Sequence, residues 1–323
     1  MSSATVPPTV VSERRGRRRW GGGADHQGWQ GYLFALPALV LLGAFLVWPV
    51  IYTVEFSLHS GLYLRLGRWV GLDNYKRLFQ SDPLFLDTSK FPPAGALVNN
   101  LFWVVVSTSL CLGLGLLIAV LATRVRYEKQ IKAVVFAPMA IAATATAIIW
   151  LFVFSGDKDI GVVNAVLTHV IPGFDSVDWT GRADTVNWAL IIAYVWATTG
   201  FAMVVLSAAI KGISEDVLEA ARVDGATEWQ IFRRIQLPLL SLPMSVVTVW
   251  LIINVIKLFD LIYIMTKGGP GGASRVIAYT MYTETFIGGN GGYGAAVAVV
   301  MLLLIIPIMI FNIRRFRTAA VQG

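Results

Sequence analysis

The residues able to do chemistry are few. The chain carries three histidines, His26, His59 and His169, and one cysteine, Cys111. The histidines fall in tails or connections, and Cys111 sits in an apolar run, where it reads as a small packing residue. No group of His, Asp and Glu recurs at a spacing suited to metal binding or acid–base catalysis. The expectation is no catalytic residue and no metal ligand. The run Lys267-Gly-Gly-Pro-Gly-Gly272 lacks the glycine-lysine ending and helix start of a phosphate-cradling loop, so it reads as a turn.

What remains is recognition chemistry, and one segment concentrates it: Glu219-Ala-Ala-Arg-Val-Asp-Gly225, nine residues, then Ile235-Gln-Leu237-Pro238. Ser214 is placed to cap a short helix, with Glu215 and Asp216 in its first turn, where the helix dipole favours carboxylates. Gly225 ends that helix in a turn. A second helix is expected from about Thr227 to Ile235, with Thr227 as its cap. The product is a helix–turn–helix elbow. Its tip is small at Ala220, Ala221 and Gly225, so another protein can approach closely. Glu219 adds one charge there, and Asp224 can hydrogen-bond at the turn.

Two further sets share helical faces. Tyr194, Thr198 and Phe201 are spaced by four and three, and Leu251, Asn254, Val255 and Leu258 repeat the pattern. Both sets lie in apolar runs, where polar residues are costly and usually face the interior of a bundle. Helix packing with one buried amide accounts for them as well as a solute path does. Lys257 and Asp260, three apart, read as an ion pair within one helix or a snorkelling lysine.

The elements that must position these residues are membrane spans. Of 323 residues 56% are hydrophobic and 14% charged, against about a quarter charged in a soluble domain. The apolar residues form six blocks, each long enough to cross about 30 Å of hydrocarbon as helix. The expected spans are residues 32–58, 97–123, 134–155, 187–210, 239–263 and 293–312. The first exceeds a signal-peptide core and is read as a retained span.

Lysine and arginine set the orientation. One side carries sixteen: Arg14, Arg15, Arg17, Arg18 and Arg19, then Arg124, Arg126, Lys129 and Lys132, then Lys211, Arg222, Arg233 and Arg234, then Arg314, Arg315 and Arg317. The other side carries nine. The richer side should be cytoplasmic, with both termini and the elbow. The net charge of +7 is thus explained by topology, and no nucleic-acid partner is inferred.

The elbow resembles the coupling-helix signature of type I ATP-binding-cassette (ABC) importer permeases: Glu-Ala-Ala, three residues, Gly, nine residues, Ile, one residue, Leu-Pro. Every signature position matches. The resemblance extends to Leu36-Pro37-Ala38, Trp48-Pro49, Gly71-Leu-Asp-Asn-Tyr75, Gly161-Val-Val-Asn164, Phe259-Asp260-Leu261 and Gly268-Gly269-Pro270, which are similar to the carbohydrate-uptake branch. The closing run 299–317 is similar to the first permease subunit of maltose and α-glucoside systems.

The resemblance implies an all-α integral membrane fold of six transmembrane helices with a cytoplasmic coupling elbow. It divides the chain into a disordered cytoplasmic tail (1–30), a first helix and outer loop (31–96), a five-helix type I domain (97–313, coupling loop 211–238) and a cytoplasmic tail (314–323). The setting is the bacterial inner membrane, and the lipid bilayer is itself a partner. The resemblance implies a second homologous permease, an ATPase subunit pair and an extracytoplasmic sugar-binding protein. Glu219, Ala220, Ala221, Asp224 and Gly225 would dock on the ATPase, which binds ATP and magnesium; this subunit needs no cofactor. Tyr194, Thr198, Phe201, Leu251, Asn254, Val255 and Leu258 coincide with positions that form the sugar site in maltose-type relatives.

An ion-coupled secondary transporter of small polar solutes is the alternative. It is disfavoured by the scarcity of charges at span depth, where a proton relay would need them, and by the lack of an evident inverted repeat.

Overall fold

The computed structural model describes residues 28–89 and 95–322. Most of the expected tail at 1–30 lies outside the described residues, and a helix already begins at Gly28. The chain divides into two units, one up to Ile51 and one from Tyr52 onward.

In the first unit, α1 (Gly28–Leu42) runs through a wider π turn (Gly43–Val47) into α2 (Trp48–Ser57), which continues into the second unit. The turn has a local cause. Pro49 has no N–H to donate and its ring crowds the turn before it. The ladder instead closes from the Trp48 N–H to Gly43 O, five residues back. The apolar stretch Leu33–Ser57 spans 25 residues, enough to cross a bilayer.

The second unit opens with a hairpin of β1 (His59–Leu62) and β2 (Arg65–Trp69), antiparallel, the one departure from an all-α fold among the described residues. A short α3 (Asp73–Lys76) follows. Asn74 Nδ2 donates to the carbonyls of Ser57 (2.8 Å) and His59 (3.0 Å), which fastens this loop to the end of α2. Next come α4 (Ala96–Ala122), α5 (Glu128–Phe136) with a 3₁₀ turn to Ala140, α6 (Ala143–Val153), α7 (Val162–Val170) and α8 (Val186–Lys211). The elbow is α9 (Glu215–Val223) and α10 (Glu228–Ile231). After it stand α11 (Leu237–Leu239), α12 (Ser241–Ile256), α13 (Asp260–Met265), α14 (Ile277–Tyr282) and α15 (Gly291–Gln322).

Five stretches among the described residues are long and apolar enough to span a bilayer, and α5 with α6 makes a sixth if the pair is taken as one span. That pair departs from the continuous third span expected at 134–155: its axes meet at 101°. Pro138 sits at the start of the 3₁₀ turn, and Ile141 (ψ 134°) and Ala142 (ψ 141°) are extended. A proline removes one rung of the ladder, and here the chain leaves the helix altogether. The fifth span breaks too. α12 stops at Ile256, and Phe259 (φ −132°) precedes α13. Lys257 and Asp260 therefore do not share a helix, and among the described residues no ion pair joins them. Pro37 and Pro307 are carried inside continuous helices.

The core is the packing of α4 on α8, with α12 against α4. Trp103, Leu190, Met203, Leu206 and Leu251 are fully buried in it. Gly200 lets the bent span close in: a Cβ there would lie 2.6 Å from Val135 O, so even alanine would push α5 away. Buried asparagines stitch the helices to the segment between α13 and α14. Asn187 receives Trp103 Nε1 (2.9 Å) and donates to Ala273 O (2.9 Å). Asn100 donates to Val255 O (3.2 Å) and accepts from Ile277 N (2.8 Å). Removing the Asn187 amide would orphan Trp103 Nε1 and Ala273 O, and removing that of Asn100 would orphan Ile277 N–H, at about 1–3 kcal/mol each, while Val255 O keeps its bond from Leu258 N–H.

Candidate functional site

Two places gather polar groups without internal partners: the elbow and a cavity within the bundle. In the elbow the backbone does most of the work. α9 ends in a pair of reversed hydrogen bonds, Gly225 N–H to Arg222 O and Ala226 N–H to Ala221 O, both 3.0 Å. This is the glycine-terminated Schellman arrangement. Gly225 has φ +81° with open space around it, so glycine is needed for its conformation and not for room. Thr227 caps α10 in a full capping box: its hydroxyl accepts from Gln230 N–H, and its own N–H donates to Gln230 Oε1 at 2.8 Å. Ser214 occupies the corresponding place before α9 but makes no side-chain cap, so the expected role of its hydroxyl is not taken up.

The elbow is tied to the spans by charge. Glu228 receives Arg222 from α9 (2.9 Å) and Arg124 from just beyond α4 (3.1 Å). The Arg222 hydrogen bond holds the Glu228 carboxyl below the usual glutamate range. Glu128, at the start of α5, pairs with Lys211 at the end of α8 (2.8 Å) and with Lys132. Most of these groups are about half exposed, so each pair adds at most about 1 kcal/mol; of these pairs, Arg124–Glu228 is the one that joins the elbow to a span.

The signature residues themselves are left free. Glu219, Ala220, Asp224 and Gly225 are exposed and Ala221 is half-buried. Neither Glu219 nor Asp224 makes a hydrogen bond or ion pair with its side chain among the described residues. Sequence reasoning missed the apolar part of this surface. Val223 is 87% exposed at the tip, and Trp229 is 66% exposed on α10. A valine so placed beside charged groups is the sequence sign that could have found it.

The cavity, about 300 Å³, lies where the two broken spans meet α8 and α12. Tyr194, Thr198, Asn254 and Leu258 all line it, so four of the seven path residues come together. Phe201 does not line it but packs on Trp250, which does, with ring centroids 4.0 Å apart. Leu251 and Val255 are fully buried in the core instead. The spacing rule placed them on the face of Asn254 and Leu258, but in the structure they are part of the core cluster. Asn254 Nδ2 donates to Trp250 O (2.8 Å). Unforeseen contributors are Thr146, Met139, Ile141 and Ala143 from the bent span, and Lys257 and Asp260 from the break in the fifth. No His/Cys/Asp/Glu cluster able to hold a metal occurs among the described residues.

Comparison with known proteins agrees with this anatomy. Residues 112–313 match the family described as binding-protein-dependent transport system inner membrane component. The chain is 43% identical to the osmoprotective compounds uptake permease protein of Synechocystis sp., over 88% of this chain and 98% of that one. It is 38% identical to the alpha-glucoside transport system permease protein of Rhizobium meliloti, over 88% and 81% of the two chains. Among solved structures it superimposes, with a TM-score of 0.72 and 25% identity over 90% of its length and 96% of the other's, on a chain of a bacterial ABC transporter involved in the import of the acidic polysaccharide alginate. The chain belongs to the inner-membrane components of binding-protein-dependent transport systems: it is a multi-pass permease of an ABC importer, and not an enzyme.

Proposed function

We propose that this permease carries a sugar, an α-glucoside or a short oligosaccharide, into the cytoplasm by alternating access. The observation that carries the sugar reading is the cavity. Rings of Tyr194 and Trp250 stand beside hydroxyl and amide groups of Thr198 and Asn254, the mixture that meets both the apolar faces and the hydroxyls of a pyranose. Relatives named for alpha-glucoside and for trehalose and maltose transport support it.

In this reading the elbow faces the cytoplasm, as do both termini, and docks on one member of an ATPase pair that binds ATP and magnesium. Glu219 pairs with a basic or polar group there, Asp224 hydrogen-bonds at the turn, and Ala220, Ala221, Gly225 and the exposed Val223 make the close contact. A second, homologous permease completes the pathway, and an extracytoplasmic sugar-binding protein delivers the solute. Tyr194, Thr198, Asn254 and Leu258 contact the sugar, while Phe201, Leu251 and Val255 support them.

The test is uptake into proteoliposomes holding both permeases, the ATPase pair and the binding protein. Maltose and trehalose uptake should require ATP and the binding protein. Uptake by this subunit alone, driven by an ion gradient, would overturn the reading.

A further inference from the structure

Beyond the break in the fifth span, burial fixes how α13 is turned. Leu261, Ile262 and Met265 are buried in the core, so the helical period puts Asp260 and Tyr263, three apart, on the opposite side. Both are exposed, Tyr263 by 37%. Asp260 and the neighbouring Phe259 line the cavity, so this open face begins at the cavity wall.

A row of aromatic rings continues from there. Phe259 stacks on Tyr263, with centroids 5.2 Å apart and planes 18° from parallel. Tyr263 meets Tyr282 of α14 edge-on at 5.4 Å. Tyr282 in turn meets Phe286, also at 5.4 Å, in the π turn that follows α14 (Thr283–Ile287). Phe286 is 50% exposed. Tyr279 is buried against the row, 6.5 Å from Phe259 and 6.4 Å from Tyr263, and holds it in place. Aromatic rings near the end of a span also suit the girdle of a membrane surface. A girdle faces lipid, however, and this row starts on an interior cavity.

The carboxylate is a second, independent observation. Asp260 lies within a candidate membrane span, where ionisable residues are costly and mark solute pathways. Its side chain makes no hydrogen bond or ion pair among the described residues. Rings beside a few polar groups are the composition of a ligand site. Rings beside a free carboxylate suit a sugar: the apolar face of a pyranose lies on the aromatics, and its hydroxyls donate to the carboxylate in strong, charge-assisted hydrogen bonds.

We infer that the open face of α13, with Tyr282 and Phe286, is a second sugar subsite adjoining the cavity, in which the rings carry a pyranose and Asp260 accepts from its hydroxyls. This rests on the sugar reading of the cavity and adds selection by length. A trisaccharide can occupy cavity and platform together, whereas a disaccharide held in the cavity gains less from the platform.

The experiment uses the full complex in proteoliposomes, with maltose and maltotriose competing in one mixture, each carrying its own radiolabel. The uptake ratio then reports the ratio of kcat/KM values. The binding protein's own preference is common to parent and variants and cancels between them. Asp260→Asn should lower the maltotriose-to-maltose ratio about tenfold, the scale of a hydrogen bond to a charged group. Tyr263→Leu keeps apolar bulk without the ring and should lower it about threefold, whereas Tyr263→Phe should keep the parent ratio. A girdle or packing role would reduce both sugars alike. An unchanged ratio in either Asp260→Asn or Tyr263→Leu therefore overturns the inference and leaves the sugar reading intact. Should a variant fail to assemble, maltotriose bearing a diazirine on its terminal unit decides on the parent complex. Crosslinks within 259–263 or 282–286 support the subsite, and their absence from both segments overturns it. Failure of the parent complex to take up either sugar overturns both readings.

Discussion

The elbow and the cavity are built in opposite ways. The elbow is contiguous in sequence, exposed, and fixed by its own caps: a Schellman turn at Gly225 and a capping box at Thr227. The cavity draws on spans far apart in the chain and is shaped by two places where helices fail, after Pro138 and at Lys257. One leaves carboxylates unpaired at a surface, the other leaves the hydroxyl of Thr146 without a partner in an interior. The difference teaches that an exposed elbow can carry its geometry locally, whereas an interior cavity depends on neighbours for every wall. Damage should therefore be separable: elbow changes should strike assembly with the ATPase, and cavity changes should strike recognition of the solute.

The largest effect is expected from Gly225→Val. A β-branched residue at φ +81° is strained by roughly 1–2 kcal/mol or more, so the turn should open. Copurification of the ATPase should be lost, and uptake with it. If Gly225→Val retains both, the elbow's own geometry is not what the partner reads, and the contrast fails. Next comes Glu219→Lys, which reverses an exposed, unpaired charge. A desolvated charge pair at an interface is worth a few kcal/mol, so ATPase affinity in detergent should fall by about 30-fold to 100-fold, with solute binding unchanged.

Asn254→Ala tests the other region. KM for uptake should rise by about threefold to tenfold, the scale of one hydrogen bond, while ATPase copurification is unaltered. A loss of assembly in this variant would join the two regions that the contrast separates. The smallest effect is in pH. Glu228 is held below its ordinary value of 4.5 by Arg222. Its pairing is then complete above that value and is lost as pH falls through the lowered one. Amide exchange in 215–231 should be flat from pH 8 to 5 once intrinsic rates are removed and should rise only under stronger acid; Glu228→Gln should flatten the response.

Legibility in the sequence followed this same division. The elbow's helices, its glycine stop and the Thr227 cap could be read because each depends on residues within one or two turns. The hydroxyl of Ser214 misled, since a good capping residue can lie at the right place without making the bond. The spans were readable as apolar blocks, but their breaks were not. Pro37 and Pro307 are tolerated inside helices while Pro138 marks the start of a break, and what decides between these outcomes lies in the packing around each proline. On the fifth-span face Asn254 and Leu258 line the cavity, while Leu251 and Val255, one turn away, lie buried in the core. Motif residues also divided. Asn164, flagged with the resemblance, is fully buried and makes four hydrogen bonds that shape the loop after α6: it donates to Ser155 O and Val177 O and accepts from Val177 N and Trp179 Nε1.

The run Gly288-Gly-Asn-Gly-Gly292 has the composition of a pliable connector, yet it is where α15 locks onto the hairpin. A methyl group on Gly291 would strike the carbonyl of Tyr63, and one on Gly292 the carbonyl of His59. The carbonyl of Gly289, whose φ is +70°, accepts from Tyr63 N–H at 2.8 Å. Grafting, tagging or shortening the chain here, the obvious choice for an engineer scanning for low complexity, would prise the last span from its seat; the safe insertion points lie elsewhere, on stretches whose side chains touch nothing.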